Sequence, residues 1–268
     1  MRILKLICIV VSFVIFLIVC SILHILITLI CPSIRWHVMS QLTYRLIRFL
    51  RTLLGIKIAY QGNIQFLKEK EQFIICRHIG YIDGIVLGSL FPTVFVSKKE
   101  IKNWPLIGKV VQISGTIFVD RQHKSEVCKC LRAITDRLKR KINVLIFPEG
   151  TSTDGTQVLP FQSPFFGVPI NTQSPILPVT INYQKLDGKD ITLQNRDEIC
   201  WYSKMDFAKH LWNLMRYKRI EVAVTLHDKI TTGTYQNTSA DRKKLAQWCH
   251  QTIAGYAGNI AYSMVGIP

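Results

Sequence analysis

Acidic residues are scarce in this chain. Its 17 Asp and Glu stand against 34 Lys and Arg, a formal net charge of +17 over 268 residues. Such a surplus suits a polyanion, either a nucleic acid or an anionic membrane surface. No RNA- or DNA-binding motif is present, and no predicted element carries a block of basic residues, which argues against nucleic acid. The 49% hydrophobic content and the positive mean hydropathy point to a membrane instead. Also missing is any Cys-x-x-Cys pair. The eight cysteines are scattered, and Cys128-Lys129-Cys130 has no partner cluster at metal-ligand spacing, so no metal site is expected. They read as small buried hydrophobes in a reducing compartment. There is no internal repeat, low-complexity stretch or second domain boundary. One domain behind a membrane-binding arm is the expected organisation.

That arm begins with a long uncharged run. Leu6 to Ile30 are 25 positions interrupted only by Ser12, Ser21, His24 and Thr28. As a helix it measures about 37 Å, enough to cross a hydrocarbon core of roughly 30 Å. It is too long for a signal-peptide core and lacks a small-residue cleavage site, so an uncleaved anchor is expected. Its orientation is not readable, because Arg2 and Lys5 flank one end and Arg35 and Arg45 follow the other. After Cys31-Pro32, helical spacing puts Val38, Met39, Leu42, Leu46, Phe49, Leu50 and Leu53 on one face. Gln41, Arg45, Arg48, Arg51 and Thr52 fall on the other. Apolar against basic is the pattern of a helix lying in a headgroup layer, although a helix packed on a domain predicts the same apolar stripe. Residues 1–54 are expected to form the anchor and interfacial helix, and 55–268 the globular domain. An alternative has both segments forming a hairpin that dips into one leaflet.

From Gly55 onward, short β-type runs alternate with helical patterns. Ile56–Tyr60, Phe73–Cys76, Val94–Val96, Thr116–Val119, Val144–Phe147, Ile176–Asn182 and Glu221–Leu226 read as strands. Val127, Leu131, Ile134 and Leu138 mark one face of an amphipathic helix. A last helix is expected to open at Thr238-Ser239-Ala240-Asp241, a capping-box pattern, and to carry Leu245, Trp248 and Ile253. Alternation of this kind implies an α/β layered domain.

One stretch places residues that carry chemistry at a strand end. Phe73–Cys76 delivers His78, and Asp83 follows five positions later ahead of Ile85-Val86-Leu87. On one helix, residues five apart lie roughly 140° around the axis, so a turn must separate them if they meet. Asp83 would then open the next helix and fix the imidazole tautomer, leaving the other ring nitrogen as a base. The stretch alone fits equally a capping Asp beside an unrelated loop His. Further along, Gly115–Arg121 is a strand ending in Asp120-Arg121, where Arg121 could clamp a phosphate or carboxylate or simply pair with its neighbour. Pro148-Glu149-Gly150-Thr151-Ser152-Thr153-Asp154-Gly155 is a turn able to bind a polar headgroup or support an oxyanion, or merely a hydroxyl-rich turn. Lys98 and Lys99 add basic groups after a strand. Pro175-Ile176-Leu177-Pro178-Val179 reads as structural support or a tunnel wall.

The order of these motifs is what separates the readings. His78-x4-Asp83, then G-x-x-F-V-D-R, then F-P-E-G-T, then P-I-L-P-V, behind a membrane arm, resembles the glycerolipid acyltransferase family of the 1-acyl-glycerol-3-phosphate type over roughly residues 55–230. The resemblance implies a single layered α/β acyltransferase domain. It implies His78 as general base on the acceptor hydroxyl and Asp83 as its orienting carboxylate. Arg121, Glu149, Gly150 and Thr151 would bind the acceptor, with Lys98 or Lys99 contributing to phosphate recognition. Acyl-CoA or acyl-carrier protein would be the donor, transfer would be direct, and no bound cofactor is expected. The implied acceptor is a lysolipid, first of all 1-acyl-glycerol-3-phosphate on the way to phosphatidic acid, at a bacterial inner membrane with the catalytic domain on its cytoplasmic side. Three positions depart from the family pattern. Arg77 replaces the usual Asn, Gly80 the common Ser, and Ser152 the Arg that phosphate-recognising members carry after F-P-E-G-T. The sequence around Ser152 and Pro160–Gly167 is similar to a subgroup that includes lyso-ornithine-lipid acyltransferases, the alternative acceptor. A non-catalytic basic membrane-binding protein is the competing class.

Overall fold

The central strand of the computed structural model, which describes residues 2–257, is β2 (Phe73–Cys76). All four of its side chains are fully buried. A parallel strand covered on both faces is expected to read as an unbroken apolar run, and this one does. Its side chains alternate between two cores: Ile74 and Cys76 join one, Phe73 and Ile75 the other. Each such side chain contributes about 1.5–3 kcal/mol of burial free energy. The other strands are β1 (Ile56–Gln61), β3 (Thr93–Lys98), β4 (Ile117–Val119), β5 (Asn143–Ile146), β6 (Ile176–Leu186), β7 (Lys189–Asp190) and β8 (Ile220–Leu226). They form a mixed sheet in the order β1-β8-β6-β2-β5-β3-β4, with β7 paired to β6. Strands β6, β2, β5, β3 and β4 are mutually parallel, and β8 runs antiparallel to β6.

The helices are α1 (Arg2–Ile30), α2 (Arg35–Leu53), α3 (Tyr81–Gly88), α4 (Ile107–Ile113), α5 (Lys124–Lys139), α6 (Gly167–Thr172), α7 (Phe207–Leu214) and α8 (Ser239–Tyr256). Ile134 and Leu138 of α5 are fully buried, as the spacing requires. At α8, the Thr238 hydroxyl accepts from Asp241 N–H at 3.1 Å, but the Asp241 carboxylate accepts from Gln236 N–H. Half of the expected capping box forms. Of the apolar residues expected on α8, Leu245 and Ile253 are buried and Trp248 is 47% exposed. The stretch 258–268, expected to belong to the globular domain, lies outside the described residues.

Helix α1 is long and apolar enough to cross a membrane by length and composition. It lies alongside α2 and α4. Lys5 donates to the Tyr217 carbonyl at 2.7 Å near one end; Ile9, Phe16 and Cys20 are buried along the middle; His24 meets the Trp36 ring near the other. The remaining faces of α1 are apolar and exposed, from Ile3 to Ile30. The apolar stripe of α2 is spent differently from the headgroup-layer expectation. Met39 and Leu50 are buried, and Val38, Leu42, Leu46 and Leu53 pack on protein cores. Only Phe49 of that stripe is exposed. The stripe faces protein because α1 and the sheet-covering core occupy it.

Candidate active site

Strands β2, β5, β3 and β4 lie side by side and parallel, so the segments after them gather at one edge. Such carboxyl ends are where open α/β sheets place their functional groups. His78 follows β2, Lys98 ends β3, Arg121 follows β4, and Glu149-Gly150-Thr151 follows β5.

Of the two readings the spacing leaves open, the structure has the one in which His78 and Asp83 meet. A turn carries the chain from β2 into α3, and Asp83 takes the third helical position. Nδ1 of His78 lies 2.9 Å from Asp83 Oδ2. The same oxygen accepts from Ile79 N–H (2.7 Å) and Gly80 N–H (3.1 Å). Oδ1 accepts from the Tyr183 hydroxyl at 2.9 Å. Asp83 is 1% exposed, and four donors at the start of a helix hold its carboxyl group in one orientation. It accepts the Nδ1–H proton, so the Nε2 lone pair is the free one. The imidazole stacks on the Phe147 ring, centroids 4.1 Å apart, which fixes its plane. Its side chain keeps 21% of its surface open, and no hydrogen bond to Nε2 forms among the described residues.

Glu149 sits differently from its expected role. It is buried, with Oε1 accepting from His78 N–H at 2.6 Å and Oε2 from Leu159 N–H at 2.7 Å. Both oxygens are used by backbone, so Glu149 braces the His78 loop instead of facing an acceptor. Burial raises its pKa, and the two N–H donors oppose that rise. On the other side of the loop, Thr153 N–H donates to the His78 carbonyl at 2.9 Å. The His78 backbone is thus gripped from both directions by one turn. The N–H groups of residues 78, 79 and 80 are all committed to carboxylates, which removes them as oxyanion donors. In the turn, no hydrogen bond to Thr151 N or Ser152 N forms among the described residues.

Arg121 bends over that turn and donates to the Gly150 carbonyl. Gly150 has φ +83°, and a Cβ there would strike the guanidinium. Only glycine fits. Lys98 stands near Arg121, and partial burial, then that neighbouring charge, lowers its pKa. Thr151 is exposed beside them. Lys99 is drawn away to Asp120 at 3.3 Å, and Asp120 also takes His123 Nδ1 at 3.1 Å. Asp120 therefore does not neutralise Arg121.

Sequence reasoning missed three groups. Tyr183 lies on β6, beyond the predicted end of that strand at Asn182. Phe147 was visible only as a strand residue. Arg77 is buried, with Nε donating to the Ile181 carbonyl (3.0 Å) and one terminal nitrogen to Asn182 Oδ1 (3.0 Å). Its other terminal nitrogen donates to the carbonyls of Gly155 and Ala257, each at 3.4 Å. It ties the His78 loop to β6, the Gly150 turn and the end of α8. Gly80 likewise has a packing reason: a Cβ would stand 3.0 Å from Trp201 N.

A carboxylate-oriented imidazole with Nε2 open, at the strand ends of an α/β sheet, has the geometry that a general base needs. Comparison with known proteins gives the lineage. A family model described as Acyltransferase matches residues 57–182. The lyso-ornithine lipid O-acyltransferase of Rhodobacter capsulatus is 30% identical over 212 residues, covering 77% of this chain and 72% of that protein. The 1-acyl-sn-glycerol-3-phosphate acyltransferase of Neisseria gonorrhoeae is 28% identical over 151 residues, covering 56% of this chain and 57% of that one. The crystal structure of the 1-acyl-sn-glycerophosphate acyltransferase PlsC from Thermotoga maritima shares the fold, with a TM-score of 0.63 at 16% identity over 96% of both chains. This chain belongs to the Acyltransferase family.

Proposed function

We propose that the protein moves a fatty acyl group from a thioester donor, acyl-CoA or acyl-carrier protein, to the hydroxyl of a lysolipid, with His78 as general base. The observation that carries this reading is the 2.9 Å contact between His78 Nδ1 and the buried Asp83, with the ring still partly open. Nε2 takes the hydroxyl proton as the oxygen attacks the thioester carbonyl. The tetrahedral oxyanion then collapses, the C–S bond breaks, and the imidazolium returns its proton to the leaving thiolate. Thr151 and Ser152 N–H are the oxyanion donors that this arrangement leaves available.

Lysophosphatidate is the first acceptor, because Arg121 and Lys98 bring two cations to the Gly150 turn. Lyso-ornithine lipid is the second reading. Ser152 removes a guanidinium from that turn, and relatives bearing the ornithine-lipid name match a longer stretch than those bearing the phosphatidate name. The protein sits on a membrane, the bacterial inner membrane with the site on the cytoplasmic side. Helix α1 lies lengthwise in one leaflet there. Supporting that placement, Lys5 ties one end of α1 to the Tyr217 carbonyl, and the middle of the helix packs on Val110 and Ile113 of α4. The test offers purified protein lysophosphatidate, other lysophospholipids and lyso-ornithine lipid with one labelled acyl-CoA. Turnover of none of them, with the chain folded, defeats the proposal.

A further inference from the structure

The opposite end of the sheet carries a groove of ≈ 470 Å³ between α2, the 67–70 turn and the start of β5. Asn143 at its floor begins β5, whereas Glu149 of the active-site turn follows β5 at the other edge. Strand β2, four residues at about 3.3 Å each, puts roughly 13 Å between the two edges before either loop is counted. The groove lies outside the catalytic site.

Its lining is cationic. Arg45, Lys68, Lys70 and Lys141 line it with the half-buried His37 and a single acid, Glu69. Glu69 is taken by Lys229, and the nearby Asp136 by Arg137 and Arg140. The four cations are left without an ion pair among the described residues. Burial and then the charge of Lys70 lower the pKa of His37, as a positive field would. The chain just before the groove's first lining residue, His37, is exposed and apolar. Ile34, one helical turn before His37, is 46% exposed, and Leu29 and Ile30 at the end of α1 are 76% and 80% exposed. A phosphate in the groove with hydrocarbon against that corner fits the shape of one ligand class, and a free anion uses only half of it.

We infer that this groove holds the phosphate headgroup of an anionic membrane lipid, at a site separate from the acceptor site. The lipid would fix how α1 and α2 seat on the bilayer. The experiment measures binding of the full chain to phosphatidylcholine vesicles with and without phosphatidylglycerol. The combined variant Lys68→Gln, Lys70→Gln, Lys141→Gln should lose roughly five-fold per lysine, ~100-fold in all, of the phosphatidylglycerol-dependent binding. Binding to pure phosphatidylcholine and acyl transfer to detergent-dispersed lysolipid should stay unchanged. The same three positions changed to Arg should keep the binding. A control triple of equal charge, Lys204→Gln, Lys243→Gln, Lys244→Gln, should lose no more than a few-fold. Equal loss in both glutamine triples would mean that net charge alone acts, and the inference fails. It also fails if inorganic phosphate at matched ionic strength abolishes the lipid-dependent binding, since the groove would then take a free anion.

Discussion

The two edges of the sheet treat charge in opposite ways. At the carboxyl edge, Asp83 has four donors and Glu149 two, and every one of those contacts orients the loop that carries His78. At the amino edge, Arg45, Lys68, Lys70 and Lys141 face a groove with no carboxylate to answer them. Satisfied polar groups hold a geometry; unsatisfied ones in contact with solvent hold a potential. A reaction needs the first, and recruitment of a charged surface needs the second.

The sharpest way to break that contrast is at His78. His78→Ala should lower acyl transfer ~10²–10⁴-fold with vesicle binding intact, because it removes the base and nothing at the other edge. Near-normal turnover from acyl-CoA would remove His78 from the mechanism. Glu149→Ala tests whether the brace is needed. It strips two buried N–H groups of their acceptor, at about 1–3 kcal/mol each, so a lowered denaturant midpoint should accompany lost activity. If activity falls with stability unchanged, Glu149 touches substrate after all. Acid titration probes burial more broadly. His210 and His227 are both buried, which holds their pKa values below the ordinary ~6.5. The unfolded chain binds those protons more readily, so stability should fall as pH drops below about 6.5 towards their folded values. Glu149 acts with the opposite sign: its raised pKa favours the protonated fold, and that contribution is lost as pH rises through it. Melting temperatures from about pH 8 to about pH 5 should decline, and His227→Gln should flatten the decline. The smallest effect is expected from Tyr183→Phe. Losing one neutral donor to Asp83 should cost about 0.5–1.5 kcal/mol of stability and shift the pH–rate profile, while Asp83 keeps its other three donors.

Much of this was legible beforehand, for reasons of range. Strands announce themselves through short apolar runs, and Phe73–Cys76 has the predicted bounds to the residue. His78 and Asp83 are close enough in sequence for helix geometry to require a turn if they meet, and the order of the later motifs favours their meeting. What was hidden depends on distant partners. Tyr183 reaches Asp83 across 100 positions, and no local pattern marks it. The motif containing Glu149 gave the residue but not its direction, and the carboxylate turns inward to backbone. The stripe on α2 was read correctly as a stripe. Whether lipid or protein covers it is decided by α1, and a helical wheel contains no information about the neighbour.

Arg77 gives the catalytic loop an unexpected dependant. Its guanidinium reaches the Ala257 carbonyl, 180 positions away, and the Asn182 amide donates to the Tyr256 carbonyl at 2.9 Å. The last turn of α8 is therefore tied to the segment that carries His78. Trimming that turn would leave a buried cation, one residue before His78, short of an acceptor, so damage there should be read out first as lost turnover.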